Sequence, residues 1–494
     1  MHHEDPHYPR AHLRPPAHWI NDPNGLVFHD GAYHVFFQYN PGGVRHTDMH
    51  WGHARSHDLL HWDLLPLALA PLPDGEDADG VWSGNAVSLD ARVVAFYAAR
   101  RNDRWWQPVA GAVSDDGVRF NRMAELLVEQ PPPDTVMFRD PYVWHDRDRW
   151  RMLVGAALAD GRGAAVQYVS GDLQHWDYVG PFLAQHPTAL PGGGNTEEGW
   201  ECVQFASLAP DRGALVLSAW DPADGAAGTA VYLGEDCAET FEPHVLQRFD
   251  YGPDLYAPAL LHAPDGRWLA WGWVWEARDE PRVGAPSAWT DEVGWAGMLS
   301  LPRELTLTEH GLHQAPAREI DRLRGRQRLE IGHAVALDEE VEIGRLGRCA
   351  DLVATLGRTA DGAGAAGLRL VMSADGREHL DIRLDAATGD LVVDREAAST
   401  DPRAKRGAWR VPTGVPAGGS VDIRAVIDHS VVEVFTSAGQ ALTMRFYPTG
   451  DAVWRLQAAG TGTGRAPLAV TAWDLNPLVI ESGRRHLGTK ESAS

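Results

Sequence analysis

A short unit of apolar and polar residues recurs along the first part of the chain. Each copy has an apolar run, a turn rich in Asp and Gly, and a second apolar run, the pattern of a β-hairpin. The copies begin at His29, Ser88, His145, Ala209 and Ala263. Their starts are 59, 57, 64 and 54 residues apart, and this near-constant spacing predicts a five-bladed β-propeller with one four-stranded blade per copy.

A second motif is repeated within this region. Residues Ser56–Trp62 and Ser170–Trp176 both contain Asp-Leu-x-His-Trp. We interpret the motif as the same turn in two blades, with a structural role.

The periodicity stops near residue 310, and a different pattern follows. Residues 315–326 predict a short helix, with Pro316 early and Ile320 and Leu323 on one face. Beyond it, period-2 alternation with Gly and Asp turns predicts a β-sandwich. The sequence therefore predicts an all-β protein with four segments: a propeller (1–312), a linker helix (313–328), a β-sandwich (329–484) and a polar tail (485–494).

Composition narrows the classes of function. The chain has 494 residues, with 44 Lys and Arg against 68 Asp and Glu, a net charge of −24. This balance argues against binding to nucleic acid or to an anionic membrane, both of which need a basic face. Three cysteines, far apart, imply neither a disulfide framework nor a cysteine zinc site. The 20 Trp residues suit a β-rich fold with aromatic surfaces for flat ligands such as sugars.

The start of the chain predicts its location. Residues 1–6 lack the apolar core of a secretory signal, and no run of 18 apolar residues occurs anywhere. We therefore expect a cytoplasmic protein and a substrate small enough to be imported.

Acidic residues precede equivalent strands of several predicted blades. Asp22, Asp140 and Glu201 come before the first, third and fourth hairpins, and Asp254 before the fifth is a fourth candidate. The innermost strands of a propeller start at one end of its central channel, so these carboxylates should converge there. Clustered acids repel one another and raise at least one pKa. Glycoside hydrolysis needs such a set, with one ionised nucleophile and one protonated acid.

Two other groups of residues allow a second interpretation. His46, His50, His53, His57 and His61 would line one face of a helix and could bind zinc, but Trp51-Gly52 and the β context favour hydrogen bonding. Cys202 lies beside Glu201, yet no histidine signature accompanies it, so we interpret it as a packed residue and not as a nucleophile.

An ordered set of motifs covers nearly the whole chain. The motifs are His12-Leu13-Arg14-Pro15-Pro16, Trp19-Ile20-Asn21-Asp22-Pro23-Asn24-Gly25, Gln38-Tyr39-Asn40-Pro41, Met49-His50-Trp51-Gly52-His53-Ala54, Trp82-Ser83-Gly84, Phe138-Arg139-Asp140-Pro141, Trp200-Glu201-Cys202, Tyr256-Ala257-Pro258, Gly294-Trp295-Ala296-Gly297, Leu301-Pro302-Arg303-Glu304-Leu305 and Ile427-Asp428-His429-Ser430-Val431-Val432-Glu433-Val434-Phe435. With these motifs the sequence resembles glycoside hydrolase family 32, the invertases, levanases and inulinases. That resemblance implies the same five-bladed propeller and β-sandwich.

The resemblance also implies roles for individual residues. Asp22 would be the nucleophile, Glu201 the general acid and then base, and Asp140 the stabiliser of the transition state. Four polar residues would hydrogen-bond the fructosyl ring or orient the acids: Asn21, Gln38, Ser83 and Arg139. Trp19, Trp51 and Trp82 would wall the pocket, and Trp295, which flanks the acids, would also bind the substrate. No cofactor and no metal are implied, and the sandwich would stabilise the propeller or support a homo-oligomer.

Two departures from the family pattern bear on the substrate. His46 stands where the family often has Trp, and Val203 and Gln204 follow Glu201-Cys202 where Pro and Asp are usual. We expect these positions near the leaving group. Hydrolysis of sucrose or short fructooligosaccharides is the expected activity. A fructosyltransferase, an enzyme acting on levan, inulin or difructose, and a non-catalytic sugar-binding propeller are the alternatives, and retention of all three acids argues against the last.

Overall fold

The five predicted hairpins form the inner halves of five antiparallel blades with four main strands each. In the computed structural model, which describes residues 5–278, 288–336 and 340–482, each hairpin joins the first and second strands of one blade. The hairpins recur with near-constant spacing because each blade repeats the same path from the channel to the rim. The five-bladed propeller is confirmed.

The strands of the blades follow in chain order. Blade 1 contains β1 (His18–His29), β2 (Ala32–Asn40), β3 (His50–Ser56) and β4 (His61–Leu69). Blade 2 contains β5 (Gly80–Leu89), β6 (Arg92–Arg100), β7 (Val109–Ser114) and β8 (Asn121–Arg122). Blade 3 contains β9 (Thr135–Asp146), β10 (Arg149–Leu158), β11 (Gly163–Ser170) and β12 (Asp177–Gln185). Blade 4 contains β13 (Gly199–Ala209), β14 (Arg212–Asp221), β15 (Gly225–Asp236) and β16 (Phe241–Arg248).

Blade 5 is interrupted by short elements. It begins with β17 (Leu255–His262) and β18 (Trp268–Val274). A helix α1 (Ala288–Val293) and two short strands β19 (Trp295–Ala296) and β20 (Met298–Leu299) come next, before β21 (Arg303–Thr308) and β22 (Gly311–Pro316) complete the blade. β19 pairs in parallel with β1, which ties the region after β18 to blade 1.

The repeated Asp-Leu-x-His-Trp motif forms the same turn in blades 1 and 3. Asp58 Oδ1 accepts hydrogen bonds from the backbone N–H groups of Leu60 and His61, and Asp172 does the same for Gln174 and His175. Both turns join the third and fourth strands of their blades, away from the channel. The structural interpretation of the motif is therefore confirmed.

The helix that follows the propeller is shorter than predicted. A 3-10 helix covers Arg318–Leu323, with Ile320 and Leu323 buried on one face as expected. The predicted linker 313–328 is wrong at both ends, because Gly311–Pro316 pairs with β21 and a sandwich strand begins at Arg324. Pairing with a neighbouring strand outweighs the local helical pattern at these ends.

The second part of the chain folds into two six-stranded sheets. In chain order its strands are β23 (Arg324–Ala336), β24 (Val341–Leu346), β25 (Cys349–Gly357), β26 (Gly364–Val371), β27 (His379–Leu384), β28 (Leu391–Asp394), β29 (Ala408–Val411), β30 (Ser420–Asp428), β31 (Val431–Thr436), β32 (Ala441–Arg445), β33 (Trp454–Gly462) and β34 (Arg465–Leu475). One sheet has the order β23-β34-β25-β30-β31-β32 and the other β24-β33-β26-β27-β28-β29. Alternate residues of both sheets bury one continuous apolar core, so the predicted β-sandwich is confirmed.

The last described strand leaves the sandwich. β35 (Val479–Ser482) pairs in parallel with β4 at the outer edge of blade 1. The predicted sandwich segment 329–484 therefore ends with residues that belong to a propeller sheet, because the open edge of β4 offers unpaired backbone groups. The predicted tail 485–494 lies outside the described residues.

Buried charged groups join the two domains. Asp428 of the sandwich accepts hydrogen bonds from the backbone of Arg10 and Ala11 and from His12 Nδ1, at 2.7–2.9 Å. Glu433 accepts from His12 Nε2 at 3.1 Å and binds Arg303 of the propeller at 2.6 Å. The interface is therefore held by paired charges excluded from water.

Within the described residues, no helix has the length and apolar character needed to cross a membrane.

Candidate active site

The innermost strand of every blade carries a one-residue irregularity near its start. The pairing of each first strand with the second strand of its blade slips between Ile20 and Pro23, Val81 and Gly84, Arg139 and Pro141, Glu201 and Gln204, and Tyr256 and Ala259. A β-bulge turns side chains out of the regular alternation and is common next to active sites. All three predicted acids lie in or directly before such bulges. The five bulges therefore point residues of different blades into one end of the channel.

Contacts among the acids show that the predicted convergence is real. The Ser83 hydroxyl donates to Asp22 Oδ2 at 2.6 Å, which joins blade 2 to blade 1. The Cys202 thiol lies 3.7 Å from Asp22 Oδ2 and 3.6 Å from Asp140 Oδ2. Residues 180 positions apart in the sequence thus share one buried pocket.

Arg139 is the cation among these carboxylates. Its Nε donates to Asp140 Oδ2 at 3.1 Å, and its Nη1 lies 2.8 Å from Glu201 Oε1. Although burial alone would lower the pKa of this guanidinium, Asp140 and Glu201 raise it. Arg139 therefore stays charged and compensates part of the repulsion within the cluster.

Tyr256 holds the other side of Glu201. Its hydroxyl lies 2.9 Å from Glu201 Oε2, to which it donates, and 3.0 Å from the carbonyl oxygen of Ala219. Arg139 and Tyr256 each contact one oxygen of the carboxyl group, and together they fix its plane.

The environment raises the pKa of two of the acids. Burial raises the pKa of Glu201 to about 7, with Arg139 opposing and the nearby Asp140 and Asp22 adding to the rise. Burial also raises the pKa of Asp22, and the hydrogen bond from Ser83 opposes that rise by favouring the ionised form. Glu201 therefore keeps its proton in much of the population at neutral pH, as a general acid must.

One carboxylate oxygen of Asp140 accepts hydrogen bonds, and the other has no donor among the described residues. Oδ2 accepts hydrogen bonds from Arg139 and from the backbone N–H of Cys202 at 3.1 Å. Oδ1 is buried and has no hydrogen-bond partner among the described residues. A buried carboxylate oxygen without a donor is costly, and hydroxyls of a bound sugar would supply the missing donors.

Cys202 is a packed residue, in agreement with the sequence interpretation. Burial raises the pKa of its thiol well above the ordinary range, and the surrounding carboxylates add to this rise. The thiol therefore stays protonated and can donate to the carboxylates beside it, which excludes a nucleophilic role.

Aromatic rings form the wall of the pocket. Trp19 and Trp82 lie in one apolar cluster with Cys202 and Tyr256, and Trp19 Nε1 donates to Asn21 Oδ1 at 2.7 Å. The Arg139 guanidinium lies 4.4 Å from the centre of the Trp82 ring. Trp19, Asn21, Trp82, Ser83 and Arg139 are thus brought together with the acids.

Two of the predicted site residues are buried and hydrogen-bond the backbone of the strand that forms part of the pocket. Trp51 is fully buried and donates from Nε1 to the carbonyl oxygen of Trp82 at 3.0 Å. Gln38 is also buried and donates from Nε2 to the carbonyl oxygen of Val81 at 2.9 Å. Both bonds position the strand that carries Trp82 and Ser83.

Two other predicted residues lie away from the acids. Trp295 is fully buried between Arg14 and Arg278, whose guanidinium groups lie 4.5 Å from its ring. Its Nε1 donates to Asp5 at 2.7 Å, so its predicted place beside the acids is wrong. Asp254 is also fully buried and pairs with Arg395 of the sandwich, so it is not a fourth member of the acid cluster. Both residues serve the domain interface.

The three residues that depart from the family pattern lie in different surroundings in the structure. The ring centre of His46 lies 6.0 Å from that of Trp19 and 5.5 Å from that of Trp82, beside the pocket wall. Val203 instead lies in the apolar core of blades 3 and 4, and Gln204 accepts a hydrogen bond from the backbone of Leu260. The bulge after Glu201 turns these two side chains away from the pocket.

The histidines of the predicted zinc alternative do not share a helix: His50 and His53 lie on β3, His61 begins β4, and His46 and His57 lie outside strands. His50 and His57 bind backbone carbonyl oxygens, His53 binds His34, and His61 binds Asp58. For these four, the hydrogen-bonding interpretation is confirmed.

One group of described residues has the geometry of a metal site. Cys349, Asp428 and His429 bring their ligand atoms within 4.8 Å of one another at the domain interface. Burial raises the pKa of the Cys349 thiol, which lies 3.2 Å from Asp428 Oδ1. Asp428 also holds Arg10, Ala11 and His12, so these donors are already engaged within the protein.

Sequence reasoning missed three aromatic residues of the site. Tyr256 belongs to the motif Tyr256-Ala257-Pro258, but the sequence predicts no role for it. Trp273 and Trp275 pack in the same apolar cluster, and Trp275 stacks on Tyr256 with ring centres 5.7 Å apart. The density of Trp after β17 was a usable signal, since Trp271, Trp273 and Trp275 alternate along one strand and its end.

The chain is similar to known proteins over most of its length. The family models "Glycosyl hydrolases family 32 N-terminal domain" and "Glycosyl hydrolases family 32 C terminal" match residues 12–316 and 319–474. Sucrose-6-phosphate hydrolase of Zymomonas mobilis is 32% identical over 477 residues, which cover 90% of this chain and 88% of the relative. Raffinose invertase of Escherichia coli is 32% identical over 465 residues, 90% of each chain.

Solved structures give the same result for the fold. The β-fructofuranosidase of Bombyx mori matches with a TM-score of 0.78 at 25% identity, over 97% of this chain and 95% of that one. The fructan 1-exohydrolase IIa of Cichorium intybus matches with a TM-score of 0.82 at 24% identity, over 97% and 99% of the two chains.

Proposed function

The chain belongs to glycoside hydrolase family 32 and is a glycosidase of the β-fructofuranosidase type, and we propose that it releases terminal β-D-fructofuranosyl units from sucrose and short fructooligosaccharides by double displacement. The observation that carries the proposal is the meeting of Asp22, Asp140 and Glu201 in one buried pocket, with the pKa of Glu201 raised to about 7.

The first step forms a covalent intermediate. A carboxylate oxygen of Asp22 attacks the anomeric carbon of the fructosyl unit, and the bond from that carbon to the leaving oxygen breaks. Glu201 gives its proton to the leaving oxygen, so the departing sugar is a neutral alcohol. The Ser83 hydroxyl, 2.6 Å from Asp22 Oδ2, orients the nucleophile.

The second step returns the enzyme to its starting state. The ionised Glu201 takes a proton from water, the water oxygen bonds to the anomeric carbon, and the ester bond to Asp22 breaks. Retention of configuration follows from the two successive inversions. For this mechanism the carboxyl groups of Asp22 and Glu201 should lie about 5–5.5 Å apart.

Asp140 and Arg139 support both steps. We assign to Asp140 the binding of sugar hydroxyls through its unoccupied Oδ1 and the stabilisation of positive charge on the sugar ring. Arg139 keeps Asp140 and Glu201 in place, and Trp19 and Trp82 exclude water from the reacting bond.

Product analysis tests this proposal. The purified protein is incubated with sucrose in the presence of methanol, and the products are identified by NMR. A retaining enzyme yields fructose and methyl β-D-fructofuranoside, whereas the α-anomer would contradict the mechanism.

Substitution of the nucleophile is the second test. Asp22→Asn should lower kcat by several orders of magnitude, because the amide cannot form the ester intermediate. Its melting temperature should change little. An Asp22→Asn variant with near-normal turnover would exclude Asp22 as the nucleophile.

Three further statements stay predictions from the sequence. They are the cytoplasmic location, self-association through the sandwich, and the preference for water over a second sugar as acceptor. Cell fractionation, light scattering and the ratio of free fructose to transferred fructose would test them in turn.

A further inference from the structure

A cleft opens beside the acids, on the outer side of Arg139. Its volume is about 360 Å³, and it lies between the loop before β7, the start of β9 and the residues around β13 and the end of β14. The residues that matter for its chemistry are Trp105, Gln107, Val136, Arg139, Glu198 and Trp220. A cavity of this size accommodates about one or two sugar rings.

The apolar side chains of this cleft are unusually exposed. Trp105 is 50% exposed and Val136 is 55% exposed. Of the 20 Trp residues, all of them in the described part of the chain, Trp105 is the only one in the exposed class. An exposed indole beside an active site is a surface for a flat apolar ligand face.

The loop that carries Trp105 is held firmly. Arg104 pairs with Glu76 at 2.6 Å, and the backbone N–H of Asn102 donates to Asp79 at 2.7 Å. Trp106 Nε1 donates to the carbonyl oxygen of Glu129 at 3.1 Å. The position of Trp105 is therefore fixed before a ligand arrives, and binding costs little ordering of the loop.

Polar groups complete the cleft. Glu198 presents an exposed carboxylate, and Trp220 lies half-buried among the lining residues. Gln107 is 6% exposed, and its Oε1 has no hydrogen-bond donor in the described part of the chain. Indole rings beside a carboxylate and an unpaired amide oxygen match the apolar face and hydroxyl edge of a sugar ring.

Arg139 connects this cleft to the chemistry. It lines the cleft and also binds Glu201, the residue that we assign as proton donor to the leaving oxygen. We propose that the cleft binds the second sugar unit of the leaving group, so that the enzyme favours fructooligosaccharides over sucrose. The inference rests on the proposed function, because it places a leaving group on the far side of Glu201.

The test compares substrates with leaving groups of increasing length. The values of kcat/KM are measured for sucrose, 1-kestose and nystose, whose leaving groups contain one, two and three sugar units. Trp105→Ala and Trp220→Ala should each lower kcat/KM about five- to tenfold on 1-kestose and nystose and less than twofold on sucrose. Trp105→Phe should keep most of the activity on the longer substrates, because a ring remains.

Two further variants serve as controls. Tyr178 is 45% exposed on β12, outside the cleft, so Tyr178→Ala should leave the ratio between substrates unchanged. Trp409 lines a second cleft of about 340 Å³ between the propeller and the sandwich. The proposal would be overturned if the loss of kcat/KM grew with substrate length in Trp409→Ala but not in Trp105→Ala. The leaving group would then bind in the second cleft.

The remaining outcomes separate the two proposals. An equal fall on all three substrates, or no fall in either cleft variant, would exclude a second-sugar site while leaving the proposed function intact. A wild-type protein that released fructose from none of the three substrates would contradict the proposed function itself.

Discussion

The carboxyl group of Glu201 is held by two neighbours, one on each oxygen. Arg139 binds Oε1 and Tyr256 binds Oε2, and both favour the ionised form, whereas burial favours the neutral form. Burial has the larger effect, so the pKa rises to about 7. The residue can therefore lose a proton in the first step and regain one in the second near neutral pH.

Removal of the proton donor should depend on the leaving group. Glu201→Ala should abolish most cleavage of sucrose, because its leaving oxygen needs a proton. The first step with β-fructofuranosyl fluoride should suffer far less, since fluoride departs without one. Pre-steady-state rates for the two substrates measure this step. Equal losses on both would show that Glu201 is not the acid.

Removal of the tyrosine hydroxyl should move the pH profile. Tyr256→Phe removes a hydrogen bond that favours the ionised carboxylate, so the pKa of Glu201 should rise further. The basic limb of kcat/KM against pH should shift upward by roughly 0.5–1 pH unit. Tyr142→Phe is the matched control, because its buried hydroxyl donates to the carbonyl oxygen of Phe205 away from the acids. An unchanged limb in Tyr256→Phe would mean that Tyr256 does not tune the acid.

At this scale the sequence predicted the residues that react better than those that support them. Asp22, Asp140 and Glu201 could be found because acids before equivalent strands of a propeller must meet. Asp254 also precedes the first strand of a blade, yet it pairs with Arg395 of the sandwich, and Trp295 donates to Asp5 away from the acids. The direction of each side chain depends on the bulge of its strand and on partners 141 and 290 positions away, which local sequence does not encode.

At the scale of elements, the bulges of β1, β5, β9, β13 and β17 decide what the propeller presents to its channel. Regular strands would turn alternate residues into the neighbouring blades, where the apolar cores lie. The extra residue releases a side chain from that alternation near the start of the first strand in all five blades. The arrangement of the active site therefore depends on a β-bulge in the first strand of each of the five blades.

Gly297 supports the first of these strands. Its φ is +74°, and a Cβ there would lie 2.2 Å from the carbonyl oxygen of Ile20, directly before Asn21 and Asp22. Gly297→Ala should therefore lower the melting temperature by several degrees and reduce kcat, because β1 must shift. The two quantities are measured by thermal denaturation and by initial rates on sucrose.

Gly31 offers a closely matched control. It has the same φ of +74°, but a Cβ at this position meets no atom within 4 Å. Gly31→Ala carries only the backbone strain of about 1–2 kcal/mol and should leave kcat unchanged. If both variants behaved alike, contact with Ile20 would not be the cause.

The elements that the sequence predicted well are those with local pairing. The five hairpins join strands separated by a few residues, so alternation and turn residues are enough to find them. The 3-10 helix Arg318–Leu323 is shorter than predicted because its flanks pair as strands. The pairing of β35 with β4 joins residues more than 400 positions apart, and no local pattern indicates it.

At the scale of the whole molecule, charged pairs hold the propeller and the sandwich together. Although burial alone would lower the pKa of His12, hydrogen bonds to Asp428 and Glu433 raise it from 6.5 to about 9. Burial would likewise raise the pKa of Asp428, but the bond to His12 lowers it from 3.8 to about 2. The contact between the two domains in the folded protein thus stabilises the charged forms of His12 and Asp428.

Stability should therefore vary with pH in a defined way. The contribution of His12 is complete below pH 6.5 and is lost as the pH rises through about 9. The contribution of Asp428 is complete above pH 3.8 and is lost as the pH falls through about 2. Melting temperatures measured from pH 2 to 10 should be highest between about 4 and 6.5 and should decline on both sides.

A variant isolates the histidine. His12→Gln should be less stable at pH 6, because Asp428 and Glu433 lose their shared cation. Its decline between pH 7 and 9.5 should be much weaker than in the wild type. An unchanged alkaline decline in His12→Gln would assign that decline to other groups.

Blade 1 is synthesised before the other four blades and is completed after them. β1 acquires its parallel neighbour only with Trp295–Ala296, and β4 acquires its own only with Val479–Ser482. Until the ribosome has produced β35, the β4 edge of this sheet exposes unpaired backbone groups, which invite pairing with other chains. Pairing of β35 thus acts as a closing step in biogenesis, and a nascent chain released before β35 is made would leave blade 1 open at β4.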